Sequence, residues 1–472
     1  MRPSVFWYHD LPRERHPALT SDLSTENLVI GGGIAGLSCA QRLLELGQQV
    51  TLLEAGFVGA GATGRSSGFI TPDSELGVSQ LRRRFGDDVA RDLWQAAKDT
   101  CGLIRTNIQA SGRDCGLIDA DSFYCSRGHP TSHGPASLHE EFIAQRDLGF
   151  TPLWHDHSTM PACLGTSRYS CAIRTTGTFA MQGAQYAQAL AHSLVQRGLT
   201  LHEHSPVIDI APGRVRTRNA EVRARRVFVC TDRFAPNLGA EPRSVYRART
   251  YLALTRPLPP DLLRSLFPAG PLLVWDTDLV YQYFRTTPDH RLLVGGSLLT
   301  HSTAARNVNP AAGLRHLTRF IDSTFPQLAP VDFEAYWPGL IGVSKDVLPI
   351  AGQVRNMPNV YAVLCGAGLP WSALAARTTA DLALGHAAPL AAYFDPARAF
   401  GPADALQPLL GKPATWAIAY YYAREHQRGG HARARTERTL TAAALIALAA
   451  SAALFTLSKA RPRRPALPRG VA

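Results

Sequence analysis

"NLVIGGGIAGLSCAQRLLELGQQVTLLEA", Asn27 to Ala55, decides the fold. "NLVIG" reads as a short buried strand, and "GLSCAQRLLELG" as a helix with one apolar face that stops at Gly47. "QQVTLLEA" is the next strand, so the stretch is a compact βαβ unit. Between the first strand and the helix, Gly31, Gly33 and Gly36 form G-x-G-x-x-G, with Ile34 and Ala35 at the helix start. Gly31 permits the tight turn, Gly33 lets the backbone approach a pyrophosphate, and Gly36 lets helix and strand pack closely. The helix N-terminus offers partial positive charge to phosphates. Glu54, 18 residues after Gly36 and followed by Ala55, closes the second strand where it can accept from ribose hydroxyls. An acid there disfavours a phosphorylated ribose, so NADP is set aside.

Two further glycine-rich loops follow. "GAGATGRSSG" comes directly after the βαβ unit, and "CGAGLPW" opens a late helix. Three such loops spread along the chain suit a long cofactor, FAD, lying across a whole domain. Between them, the spacing predicts helices over 87–109 and 181–198, and "RTYLALTRPL" and "LVYQYFRTTPDHRLLVGGSLL" alternate at period two. Parallel βα units near 27–55, 181–232 and 359–385 enclose this antiparallel material. The expected fold class is α/β: a Rossmann-like FAD-binding domain with an inserted α+β substrate domain built on a large antiparallel sheet, and a C-terminal transmembrane helix. The expected boundaries are 1–95, 178–244 and 334–400 for the FAD-binding domain and 96–177 and 245–333 for the substrate domain. A basic linker, 401–438, the membrane helix, 439–458, and a basic tail, 459–472, complete the chain.

The 472 residues carry a net charge of +12. From Arg424 onward there are ten Arg or Lys against two Asp or Glu, so +8 of that charge belongs to the tail. The body therefore gives little support to nucleic-acid binding. None of the eight cysteines forms a C-x-x-C pair, which argues for a reducing compartment and against a disulfide framework or a metal site. "TLTAAALIALAASAALFTLS", Thr439 to Ser458, has no charge, and as a helix would span about 30 Å. Basic clusters flank it on both sides, and the N-terminus has no secretory signal pattern. The expectation is a single-pass C-terminal anchor with the catalytic body in the cytoplasm; a surface helix packed on a partner is the plainer reading.

These motifs together resemble the D-amino acid oxidase superfamily of FAD-dependent amine oxidoreductases, from about "FWYHDLP" to "FDPARAF". "GATGRSSG" and "GLIGVSKD" are most similar to its gamma-glutamylputrescine oxidoreductase branch. The resemblance implies noncovalent FAD under a roof of antiparallel strands, and hydride transfer from an amine-bearing carbon to flavin N5. The imine so formed hydrolyses, and oxygen or a membrane quinone is the acceptor. It implies that Gly64, Arg65, Ser66 and Ser67 line the pyrophosphate and flavin, and that Val207 packs near the adenine. It also implies that Thr231 ends a strand at the cofactor, and that Gly366, Ala367, Gly368 and Leu369 lie near the flavin pyrimidine edge. Val207 reads as core in any case.

The resemblance also bears on substrate. In amino-acid-oxidising members the stretch matching "GLIGVSKD" carries an arginine that grips the substrate carboxylate; here that position is Ile341. An isoleucine cannot replace a guanidinium fork. An amine without an adjacent carboxylate is therefore favoured over a D-amino acid or glycine. Lys345 either sits near the flavin, stabilising its reduced anionic form or its reoxidation, or is a surface lysine with a buried stem. Tyr281, Tyr283 and Arg285 share one face of a strand, and Arg285 is a candidate receptor for a remote carboxylate. Tyr251, Trp337 and Trp371 are candidate walls for an amine or methylene chain, each with ordinary core as the alternative. A flavin-binding tail-anchored protein without turnover is the rival from another class.

Overall fold

The computed structural model describes residues 5–73, 75–127, 134–241, 244–278, 281–296, 310–366 and 368–398. Residues 1–399 make one compact unit. The segments expected as linker, membrane helix and basic tail lie outside the described residues, as does Ala367. Among the described residues no helix is long and apolar enough to cross a membrane.

The first strand, Leu23–Ile30, has four fully buried residues at its end, "LVI" preceded by Asn27. Both of its faces are covered, as a central parallel strand requires. It pairs in parallel with Val50–Leu53 on one side and Glu221–Val229 on the other. Thr200–His202 extends the parallel set at one edge and Val360–Leu364 at the other. An antiparallel meander, Val207–Ala211 and Arg214–Thr217, leans on the front half of Glu221–Val229. Ile350–Gln353 pairs antiparallel with Val360–Leu364 and completes eight strands. The helix Ile34–Glu45 buries Leu37, Cys39, Ala40 and Leu43. Val207 itself is only half-buried at the start of its strand, so its expected place in the core is corrected.

The second sheet also has eight strands. Phe333–Ser344 pairs antiparallel with Val245–Thr255 along nearly its whole length, followed by Leu292–Gly296, Tyr283–Thr286 and Leu272–Asp276. Leu272–Asp276 then meets Asp121–Ser126 in parallel, a departure from an all-antiparallel sheet. The boundary expected at 334 is corrected here: Phe333–Ser344 belongs to the second sheet, because its hydrogen bonds run to Val245–Thr255 and not to the parallel strands.

Strand alternation divides this sheet's two faces. Tyr251, Ala253, Phe284 and Tyr336 join Phe320 and Phe325 in a core on one side. Leu252, Leu254, Leu293 and Trp337 face the other way and pack on Trp7 and Ala184, which belong to the nucleotide-binding half. This second face is the one turned toward the glycine loops.

Candidate functional site: a dinucleotide cradle under a sheet

The cofactor-motif residues gather at the carboxyl ends of the parallel strands, where open α/β sheets bind ligands. Gly31 has φ +113°, and a Cβ on it would stand 2.6 Å from the Cys230 carbonyl oxygen. A Cβ on Gly36 would stand 1.9 Å from the Gly31 oxygen. Gly33 is the helix N-cap and has no side chain to satisfy the first turn. Thr63 does so from another loop: the Ile34 N–H donates to its Oγ1 at 3.0 Å. Glu54 accepts from the N–H groups of Gly32, at 2.6 Å, and Gly56, at 2.8 Å. Burial raises its pKa against those two bonds. Ala35 is half-buried in the first helical turn, and Ala55 is exposed beside Glu54.

The second glycine loop folds back on the first. Gly59 N–H donates to the Gly32 carbonyl at 3.0 Å. Ala62–Arg65 forms one short helical turn, in which Gly64 is buried; a Cβ there would meet the Gly59 oxygen at 2.1 Å. Ser66 Oγ donates to the Thr63 carbonyl at 2.8 Å. Thr231 lies two residues past the end of the strand Glu221–Val229 and is the N-cap residue of the 3-10 turn that follows it. Beside it, Asp232 accepts from the N–H groups of Gly342, at 2.7 Å, and Cys365, at 3.1 Å, joining the two sheets. The third loop reaches Gly368, with φ +119°, and Leu369 then begins the helix Leu369–Ala383. A Cβ on Gly366 would collide with Ser372 at 1.8 Å.

Arg65 Nε, Thr231 Oγ1 and Arg233 Nε are buried and have no hydrogen-bond partner among the described residues. Buried polar atoms are rarely left so, and these three lie by the same cradle. Two arginines, a helix N-terminus and a carboxylate are the donor and acceptor set that a dinucleotide's phosphates and ribose require. The residues therefore fit FAD.

The roof candidates fare differently. Arg285 is 2% exposed, and donates to the carbonyls of Ser67 at 2.6 Å, Thr286 at 2.9 Å and Met181 at 3.3 Å. Burial pushes its pKa down to about 10. The proposed carboxylate receptor is thus corrected: its donors are committed to backbone, and it ties the roof to the cofactor loop. Arg285→Lys is expected to destabilise the protein, because an ammonium cannot serve the three carbonyls, each costing about 1–3 kcal/mol when left unpaired. A fall in the urea midpoint checks this.

Trp337 is fully buried and donates from Nε1 to the Arg65 carbonyl at 3.1 Å. Trp371 is fully buried and donates to the Pro72 carbonyl at 2.9 Å. Both are struts between elements rather than substrate walls. Tyr251 is corrected too, since it stacks on Tyr336 at 5.5 Å in the core behind the sheet. Alternation along its strand places it on the face away from Leu252, whose cross-strand partner is Trp337.

The roof keeps Tyr283, Tyr281 and Ile341. Tyr283 meets Thr250 Oγ1 at 3.3 Å, and its ring lies 5.8 Å from those of Phe69 and Tyr281. Tyr281 donates its hydroxyl to Glu75 at 2.9 Å. Ile341 is 36% exposed on the same face as Trp337. Lys345 is 5% exposed, which overturns the surface reading. Its neighbour Asp346 fixes the loop through Arg84, at 2.7 Å, and Arg398, at 2.8 Å. All eight cysteines are buried and free of disulfides; burial pushes the Cys365 thiol well up.

Sequence reasoning missed Thr63, Asp232 and Tyr8. Each acts on backbone groups far away in the chain, and no local pattern marks such contacts.

A buried dinucleotide cradle of this form, roofed by a second sheet, defines an FAD-binding oxidoreductase. The chain belongs to the DAO family, described as FAD dependent oxidoreductase, which matches residues 27–382. It is 27% identical over 378 residues to the gamma-glutamylputrescine oxidoreductase of Escherichia coli K12, covering 78% of this chain and 86% of that one. It is 26% identical over 385 residues to a probable oxidoreductase, OrdL, of Haemophilus influenzae, covering 78% of this chain and 85% of that one. Its fold is similar to the crystal structure of glycine oxidase from Geobacillus kaustophilus, with a TM-score of 0.67 and 22% identity, covering 80% of this chain and all of that one. The protein is thus an FAD-dependent enzyme of a family acting on amine and amino acid-like substrates.

Proposed function

We propose that this enzyme oxidises a primary or secondary amine that carries no carboxylate on the reacting carbon. Bound FAD would supply the hydride acceptor, and the resulting imine would hydrolyse to a carbonyl compound. One observation carries the reading: Ile341 is exposed on the roof face, where the family resemblance implies a carboxylate-gripping arginine in amino-acid-oxidising members. An apolar side chain there gives an α-carboxylate no compensation for lost water. Arg285 supplies none either, being committed to backbone carbonyls. Tyr283 and Tyr281 offer aromatic surface suited to a methylene chain or an amine. The named relative points the same way, toward a putrescine derivative.

Anaerobic mixing with a panel of amines, followed by the flavin absorbance, tests the proposal. Putrescine and its acylated derivatives are expected to bleach the flavin; glycine and D-alanine are expected to do so at least about tenfold more slowly. Fast bleaching by D-alanine would sink it. Peroxide release in air would assign oxygen as acceptor, and its absence during quinone reduction would assign a membrane quinone.

We assign Lys345 a role beside the flavin, given its burial in the loop held by Asp346. Lys345→Met is expected to slow flavin reduction or reoxidation at least about tenfold with FAD still bound. Stopped-flow absorbance measures both half-reactions. We also infer that residues 439–458 anchor the catalytic unit to the cytoplasmic face of a membrane, on the strength of their uncharged length and basic flanks. Sedimentation with membranes by the full chain, lost on removal of residues 439–472, is the expected result.

A further inference from the structure

The family match begins at residue 27, yet the described chain before it runs along the cofactor cradle. Phe6–Tyr8 is a single 3-10 turn. The Tyr8 hydroxyl donates to the Ala60 carbonyl at 3.0 Å and lies 3.3 Å from the Gly59 carbonyl. Its ring packs on Gly64, where an added Cβ would stand 3.0 Å from Cε1 and 3.1 Å from the hydroxyl oxygen. The Arg65 guanidinium carbon lies 6.0 Å from the centre of the Tyr8 ring. Trp7 is buried with its ring edge-on to Trp337, 5.7 Å between centres, and Trp337 in turn holds the Arg65 carbonyl. Further along, the His16 N–H reaches Glu203 at 3.3 Å and the Leu19 N–H reaches Ser205 at 2.9 Å. Glu203 also accepts from Val58 N–H, at 2.7 Å, at the foot of the same loop.

The loop so gripped needs outside support. Gly56, Gly59, Gly61 and Gly64 give it backbone freedom, and Ala62–Arg65 is too short to form as a helix unaided. On its inner side it bonds the glycine-motif turn through Gly59 to Gly32 and through Thr63 to Ile34. Elsewhere Tyr8 bonds the loop directly, Trp7 reaches it through Trp337, and Gln188 Nε2 donates to the Val58 carbonyl at 2.8 Å. Arg65 Nε is buried without a partner among the described residues, and its guanidinium lies beside the Tyr8 ring. Holding a flexible loop in its binding shape before the ligand arrives raises affinity by cutting the ordering cost.

We propose that Trp7 and Tyr8 are positioning residues of the FAD site, clasping the 56–66 loop from outside so that Thr63 and Arg65 stand ready for the cofactor. They do not touch the reacting atoms; they act through the loop.

The test is FAD binding by the full chain carrying Tyr8→Phe or Trp7→Phe, each a conservative change. Apoprotein is titrated with FAD by flavin fluorescence, the dissociation rate of FAD is followed after dilution, and urea midpoints are taken for apo- and holoprotein. Tyr8→Phe is expected to raise the FAD Kd about fivefold, one hydrogen bond's worth, mainly through faster dissociation. Trp7→Phe is expected to raise it about threefold. A residue that only stabilised the fold would shift both urea midpoints equally and leave Kd alone, because Kd reports the difference between apo and holo states. Kd and dissociation rate within twofold of the parent in both variants would overturn the proposal, whatever the midpoints do.

Discussion

Gly36→Ala is expected to yield protein with little or no bound flavin. The new Cβ would lie 1.9 Å from the Gly31 carbonyl oxygen and 3.1 Å from its carbon, with Val29 Cγ1 at 3.3 Å. The first obstacle is backbone, and it belongs to the turn that must approach the pyrophosphate, so neither side can yield without spoiling the cradle. Gly31 has no slack to give: its φ is +113°, and the Cys230 carbonyl already stands where its own Cβ would be. Overpacking costs about 1–3 kcal/mol where side chains can adjust. Here they cannot, so a weakening of at least about 100-fold in FAD affinity follows. The ratio of flavin to protein absorbance in purified material, and titration of the apoprotein, measure it. Gly47→Ala makes the contrast. That position has φ +71° but nothing within 4 Å, so its cost is the left-handed backbone alone, about 1–2 kcal/mol of stability, with flavin retained.

Asp346→Ala is expected to lower stability by about 3–5 kcal/mol, the usual loss when one partner of a buried ion pair is removed. Asp346 is 6% exposed and accepts from Arg398 Nε and Nη2, both at 2.8 Å, from Arg84 Nη2 at 2.7 Å and from Ser344 Oγ at 3.0 Å. Truncation leaves Arg398 and Arg84 facing each other across the vacated space. Burial by itself would raise the Asp346 pKa; the two guanidiniums outweigh it and hold the carboxyl below the ordinary carboxylate range. A carboxyl depressed in the folded state stabilises fully above its unfolded value, near 4. That contribution is lost as pH falls from there through the lowered folded value. The parent protein should therefore lose stability steeply on the acid side of pH 4. Asp346→Asn should start lower at neutral pH and fall less across that window, as urea midpoints at a series of pH values will show. Because the same loop carries Lys345, Asp346→Ala should also disturb flavin reduction kinetics, whereas Asp346→Glu should partly restore them.

The βαβ unit at Asn27–Ala55 was legible because every instruction in it is local. Three glycines, a strand and a helix meet within ten residues of one another in the chain, and Glu54 is placed by the length of the helix. The second and third glycine loops were legible for the same reason. Roof residues were not. Period-two alternation shows that Tyr251 and Leu252 face opposite ways, but not which of them faces the cofactor; that depends on which face packs against Trp7 and Ala184. Arg285, Trp337 and Trp371 each read as a site residue by type. Their polar ends are taken by carbonyls of Ser67, Arg65 and Pro72, more than 200 residues earlier. Lys345 allows two readings, a place near the flavin or at the surface, since nothing in "GVSKD" reports burial.

The sequence by itself therefore determined the cofactor-binding motif and the apolar residue at Ile341. Those are statements about residue identity and short-range spacing, where sterics and hydrogen bonding act within one turn or one strand. Tertiary structure alone decided that Arg285 braces the roof, that Asp232 joins Gly342 to Cys365, that Thr63 caps a helix it does not belong to, and that Tyr8 holds the loop below it. In each case a buried backbone group needed a partner, and only the packing of distant segments determined which side chain arrived.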